Sequence, residues 1–141
     1  MAKNGANSGN RGGSASTDTG KLILRLALGV FMLFHGYSKL KNGIGGIEAS
    51  LLKAGLPAWV AYGVYIGEVF APLLVILGFY ARIGGLIIAV NMIFAIALSH
   101  AHQLLDLGRS GGWALELQGF FLLTGLVVAL IGPGRFGINH R

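Results

Sequence analysis

The chain of 141 residues contains no cysteine. That absence excludes disulfides, thiolate metal sites, cysteine-held iron–sulfur clusters and covalently attached haem. Charge is scarce as well: 11 Lys or Arg and 5 Asp or Glu amount to 11 % of the residues, about half the usual fraction. A soluble domain of this size has a large surface to cover and needs more charge than that. What is abundant is apolar: 54 % hydrophobic residues, 24 glycines and a mean hydropathy of +0.70.

The apolar residues are gathered into four runs of about twenty. Each can cross a hydrocarbon core of roughly 30 Å at about 1.5 Å per helical residue. The composition predicts an all-α integral membrane protein, a four-helix bundle of antiparallel up-down topology. The formal charge of +6 does not argue for nucleic acid. A nucleic-acid face needs clustered Lys and Arg on a soluble surface, and here the cations sit mostly at the ends of apolar runs. The expected partner is the lipid bilayer.

Residues 1–20 hold almost nothing that can be buried and read as a flexible tail. The next run is too long for a signal-peptide core, lacks a small-x-small cleavage site, and ends in Tyr37, Ser38, Lys39 and Lys41. It reads as a retained first helix. The four helices are expected at about 21–40, 57–80, 83–101 and 113–131, with Pro57 in a first turn and Gly132-Pro133-Gly134 as the final breaker. Ile47, Leu51 and Leu52 recur at helical spacing before Gly55 and Pro57, which suits a short surface helix near 46–54. Residues 133–141 form a C-terminal tail. An even number of spans puts both termini on one side. That side holds Lys3, Arg11, Lys21, Arg25, Arg82, Arg135 and Arg141, against Lys39, Lys41, Lys53 and Arg109 on the other. Seven cations against four favour cytoplasmic termini.

Ionisable groups inside an apolar span cost roughly 2.5–3.5 kcal/mol each on insertion scales, so each needs a reason. Arg25, Gly29, Met32, Gly36 and Lys39 follow a 4-3-4-3 spacing and share one helix face. The small residues there let a neighbouring helix approach closely. One reading makes this a packing seam with Arg25 and Lys39 reaching to opposite interfaces; His35 at its edge is too deep for that. Glu68 lies about eleven residues from either end of the second helix, near mid-membrane. Pro72, four residues on, cannot donate the hydrogen bond that the Glu68 carbonyl would accept. Glu68 is then either half of an ion pair with Arg25 or Lys39, or a proton-accepting, ligand-binding carboxyl, and the two are compatible. Tyr65 is one turn away.

Asn91 sits at mid-depth on the third helix. His102 falls on nearly the same face, and His100 on the opposite one if the helix continues that far. With Asp106, Glu116 and Gln118 these groups converge on the outer half of the bundle, above a floor of Glu68 and Asn91. A metal at His100, His102 and Glu116 is disfavoured, because His-x-His does not share a helix face. Non-covalent haem between His35 and His100 or His102 is disfavoured too. No glycine-rich phosphate loop stands out.

The run Arg25-Leu-Ala-Leu-Gly29-Val-Phe31, then Phe34-His35-Gly36 and Lys39-Leu40, resembles the first helix of the DoxX family of membrane proteins. Glu68 with Leu77-Gly78-Phe79-Tyr80-Ala81-Arg82 and Asn91-Met92 is a second match, and Gly132-Pro133-Gly134-Arg135-Phe136 a third. The family's Ser-x-Asp ending is replaced by Gly137-Ile138-Asn139, and Phe70-Ala71-Pro72 stands where a glycine pair is common. The resemblance implies a four-helix protein of the bacterial or archaeal cytoplasmic membrane. It also implies a link to quinone-coupled oxidation, as a small subunit beside other membrane or redox subunits. On that reading the chain is at most a subunit of a quinone-linked oxidoreductase. His35, Tyr65 and Glu68 would form the quinone and proton site, with Arg25, Lys39 and Asn91 in support. Two other readings stay open: a non-catalytic assembly subunit braced by Arg25 and Glu68, and a small-solute or proton transporter using Glu68.

Overall fold

The computed structural model describes residues 14–141. Among them the protein is helical throughout, without a β-strand. Helix α1 runs over Ala15–Asn42, six residues earlier than its apolar pattern suggests. The expected tail therefore lies outside the described residues up to position 13, and residues 15–20 are helix. The cause is a polar start signal: the Ser14 hydroxyl accepts the Thr17 N–H at 3.3 Å, and Asp18 occupies the first turn. Both satisfy the positive end of a helix. Helix α1 stops at Gly43, whose N–H donates to the Lys39 carbonyl at 2.8 Å. The short helix α2, Gly45–Lys53, follows where the apolar spacing puts it.

Helix α3 spans Ala58–Leu77 and helix α4 spans Ala81–Gln103. With α1 they are long and apolar enough to cross a membrane. Neither α3 nor α4 is a uniform α-helix. Helix α3 opens as a 3-10 turn over Ala58–Tyr62 and widens to a π turn over Ile66–Phe70. Helix α4 carries its own π turn over Ile96–His100 and closes as 3-10 over Ala101–Gln103. Helix α5, Glu116–Ile131, has 16 residues and begins three positions later than expected. Trp113 is not in it: the indole N–H donates to the Leu104 carbonyl at 2.8 Å and holds the preceding loop. Large apolar side chains face outward, among them Phe34 (66 % exposed), Phe120 (74 %) and Leu130 (76 %). A water-soluble protein does not present such a surface, whereas lipid accepts it.

The core follows the glycine stripe. Arg25, Gly29, Met32 and Gly36 are all buried on α1. Gly29 meets Ile76 and the Pro72 carbonyl, and Gly36 meets the Glu68 backbone, so α1 lies directly against α3. Between α4 and α5, Gly85 and Gly125 face each other's backbones; a Cβ on either would come within 2.5 and 2.7 Å of the opposite carbonyl oxygen. Small residues at helix crossings let dispersion and backbone contacts accumulate where no hydrophobic force separates helix from lipid.

Arg25 corrects one expectation. It does not pair with Glu68, and it is 1 % exposed. Its guanidinium donates to the Val75 and Ile76 carbonyls at 3.1 and 3.0 Å and to the Phe136 carbonyl at 3.3 Å. The reason is distance along the helix: Arg25 lies about 16 Å from Gly36, the residue that abuts Glu68. Instead it neutralises the carbonyl end of α3, where a cation is favoured.

The last residues are no loose tail. Ile138 N–H donates to the Leu77 carbonyl (3.3 Å) and Asn139 N–H to the Gly78 carbonyl (3.2 Å), laying residues 132–141 as a strap across the α3–α4 turn. Gly78 has φ +66°, which permits the helix-ending left-handed turn, and Tyr80, two residues on, adopts φ +50°. The Asn139 side-chain oxygen accepts the Tyr80 N–H at 2.9 Å and so holds that conformation. Asn139→Ala should therefore cost about 1 kcal/mol and speed hydrogen exchange at Tyr80. Unchanged protection of that amide would show that the strap is not what holds the turn.

Candidate functional site

The buried polar cluster is built from three helices. Lys39, at the end of the α1 stripe, reaches the Glu68 carboxylate at 2.6 Å. Glu68 is 4 % exposed and sits in the π turn of α3. Its other oxygen accepts from the Asn91 amide on α4 at 3.3 Å. Gly67 makes this possible, because any Cβ there would overlap the Asn91 side chain. Lys39 is the partner that the sequence left undecided between itself and Arg25. The Glu68 carbonyl, which Pro72 cannot serve, faces the backbone of Gly36.

The cluster opens on a cavity of about 320 Å³ with apolar walls from Val60, Val64, Ile87, Val90, Phe94 and Leu98. Ile47 and Leu51 of α2 line it too, so the surface helix lies over one side of it. Lys39, Glu68 and Asn91 supply polar groups, and His100 and Ser99 supply others. An apolar cavity of this size with a few convergent polar groups is the usual form of a small-molecule site.

His100 reaches the cavity because of the second π turn. On an uninterrupted helix the nine residues from Asn91 to His100 put them about 180° apart. A π turn takes up one extra residue and returns about 100° of that rotation. The expectation that His100 faces away is thus corrected, and so is its counterpart: His102 is exposed on the closing 3-10 turn. The His100 Nδ1 lies 3.0 Å from the Gln103 side-chain amide, which fixes the ring at the cavity edge. Only the second π turn reveals this placement, and no proline or other breaker near Ile96–His100 announces it.

The remaining candidates are dispersed. His35 lies on another side of α1, in a groove of about 580 Å³ with Phe31, Phe34, Phe120, Phe121 and Thr124. Its ring meets Phe121 edge-on at 5.4 Å. It is the residue next to Gly36, and about 100° of helical rotation carries it away from Glu68. Tyr65 is closer: its hydroxyl donates to the Lys39 carbonyl at 3.3 Å and steadies the end of α1 rather than lining the cavity. Glu116 and Asp106 are exposed. Among the described residues no three His, Asp or Glu side chains gather around a metal-sized space.

Fold and surface together define a small helical membrane protein with a polar-headed cavity between its helices. The DoxX family model matches residues 20–101, and the chain belongs to the DoxX family. A protein of Bacillus subtilis (strain 168), named Putative oxidoreductase CatD, is 35 % identical over 81 residues, covering 57 % of this chain. The match covers 60 % of that relative's own length. No solved structure matches.

Proposed function

We propose that this protein is an accessory membrane subunit of a quinone-linked redox system. Its cavity would take a quinone head group. The observation that carries this reading is the Lys39–Glu68–Asn91 cluster at one end of the apolar cavity. The relative's name supports oxidoreduction as the activity class.

The residues suit such a ligand. Lys39 uses one N–H on Glu68 and its side chain is 27 % exposed, so it keeps donors for a ring oxygen. The apolar walls accept the ring and the start of a prenyl chain. When bound, the quinone supplies two-electron, two-proton chemistry. Glu68 is the carboxylate positioned to exchange a proton with an oxygen held by Lys39. In this reading electrons come from a partner subunit; without cysteine the chain holds no iron–sulfur cluster of its own.

The reading places four spans antiparallel, with both termini cytoplasmic. Its support is that residues at four helix ends meet: Asp18 with Arg135, Arg25 with Val75 and Phe136, and Arg82 with Ala129. Helix α5 covers about 24 Å and would need local thinning or flanking residues to complete the span.

Native mass spectrometry of the full chain in nanodiscs with decylubiquinone tests the proposal. A one-to-one adduct is expected, weakened about tenfold or more in Glu68→Gln, the loss of roughly one charged hydrogen bond. Equal adducts in wild type and Glu68→Gln of matched stability would remove Glu68 from the site. The cluster would then be a brace, as in an assembly subunit. That alternative has its own support, since both Glu68 oxygens already have partners.

A further inference from the structure

The strap that closes over the α3–α4 turn is also where unpaired cations gather. Lys21 on α1 lies against Gly134, with its Cδ 3.0 Å from where a Cβ would stand. Arg135 is the next residue, and its N–H is taken by the Asp18 carboxylate at 3.2 Å. The Arg82 guanidinium packs on Gly132, and the Arg82 backbone N–H donates to the Arg141 carbonyl at 3.4 Å. Arg141 in turn lies over the Tyr80 ring, 5.7 Å from its centroid.

Four cations thus sit on one strap and the helix ends beneath it. Among the described residues the one salt bridge is Lys39–Glu68, so none of the four has a side-chain carboxylate partner. Asp18 is 7 % exposed and turned inward to the strap backbone. Arg82 spends part of its guanidinium on the Ala129 carbonyl at the end of α5, while Arg135 and Arg141 are exposed, Arg141 with one guanidinium N–H on the Tyr80 hydroxyl at 3.2 Å.

These cations alternate with exposed apolar side chains. Phe136 is 50 % and Ile138 66 % exposed, and Phe79 and Leu130 flank them. A free anion in water has no use for such neighbours. A phospholipid does, because its phosphate lies at the depth of the cations and its acyl chains begin beside the apolar groups.

We infer that the strap Gly132–Arg141, with Lys21 and Arg82, is a seat for the phosphate of an anionic phospholipid. Arg135 and Arg141 contact the headgroup, and Phe136 and Ile138 rest at the acyl boundary. The strap then does two things at once: it fastens the α3–α4 turn from within and ties this end of the bundle to one leaflet.

The test is native mass spectrometry of the full chain released from nanodiscs of phosphatidylcholine mixed with phosphatidylglycerol. Wild type is expected to retain phosphatidylglycerol adducts in excess over phosphatidylcholine. Each cation near an anionic surface should be worth about fivefold, so Arg135→Gln with Arg141→Gln should weaken retention about thirtyfold. Arg109→Gln, which removes a cation from the α4–α5 loop, should leave it unchanged. Soluble glycerophosphate should not displace the lipid, and raised salt should weaken the wild-type preference without any variant. No preference in wild type, an unaltered preference in the double variant, or displacement by glycerophosphate would each overturn the proposal.

Discussion

Lys39→Met should destabilise the protein by about 2–3 kcal/mol, somewhat less than breaking a fully buried ion pair costs, because Lys39 is itself partly exposed. The asymmetry of the pair explains the figure. Glu68 has a side chain only 5 % exposed, and removal of Lys39 leaves its charge with the Asn91 amide alone, 3.3 Å away. Lys39 is 27 % exposed and can turn toward the interface if it loses its partner. Glu68→Gln should therefore cost less than Lys39→Met. The double variant should recover most of the loss, because neither charge then remains buried and unmatched. Thermal unfolding of the four proteins in one detergent gives the cycle. A double variant that falls by the sum of the singles would show that the two groups do not act on each other.

Such a cycle bears on function as well as stability. A carboxylate held by an ammonium on one oxygen and an amide on the other is fixed in place by the pair. A ligand oxygen that takes one of the lysine's spare hydrogens enters that network without breaking it. This is why the ion pair and the proposed site are one structure, and why stability and binding must be measured on the same variants.

Much of this arrangement could be read from residue order. The 4-3-4-3 spacing from Arg25 to Lys39 marks a buried face, and the structure buries Arg25, Gly29, Met32 and Gly36 along it. Glu68, Asn91 and Lys39 were each singled out by the expense of placing such groups in an apolar span, and they meet. Other features were hidden for identifiable reasons. At the π turns of Ile66–Phe70 and Ile96–His100 a single extra residue per turn rotates everything beyond it. His100 gained the cavity that way. His35 lies at the edge of the Arg25–Lys39 face, and neither its depth nor its chemical type decides which neighbour an edge residue meets. The C-terminal strap depends on backbone carbonyls left free at the ends of α3, which no side-chain pattern displays.

Gly36→Ala tests the contact on which the site rests. A Cβ at position 36 would overlap the Glu68 carbonyl oxygen and come within 2.7 Å of its carbon and 2.8 Å of the Val69 Cγ2. Two of these three atoms are backbone and cannot rotate aside. Helix α1 must then back away from α3, at a cost of about 1–3 kcal/mol or more. Lys39 is carried by the same helix three residues on, so its grip on Glu68 loosens in the same movement. Gly20→Ala is the matched control, since a Cβ there meets nothing within 4 Å. It should gain about 0.5–1 kcal/mol from helix propensity. The pair of variants therefore has opposite expected signs on one helix. If Gly36→Ala proved as stable as Gly20→Ala in thermal unfolding, α1 and α3 would not meet at position 36, and the ion pair would have lost its support.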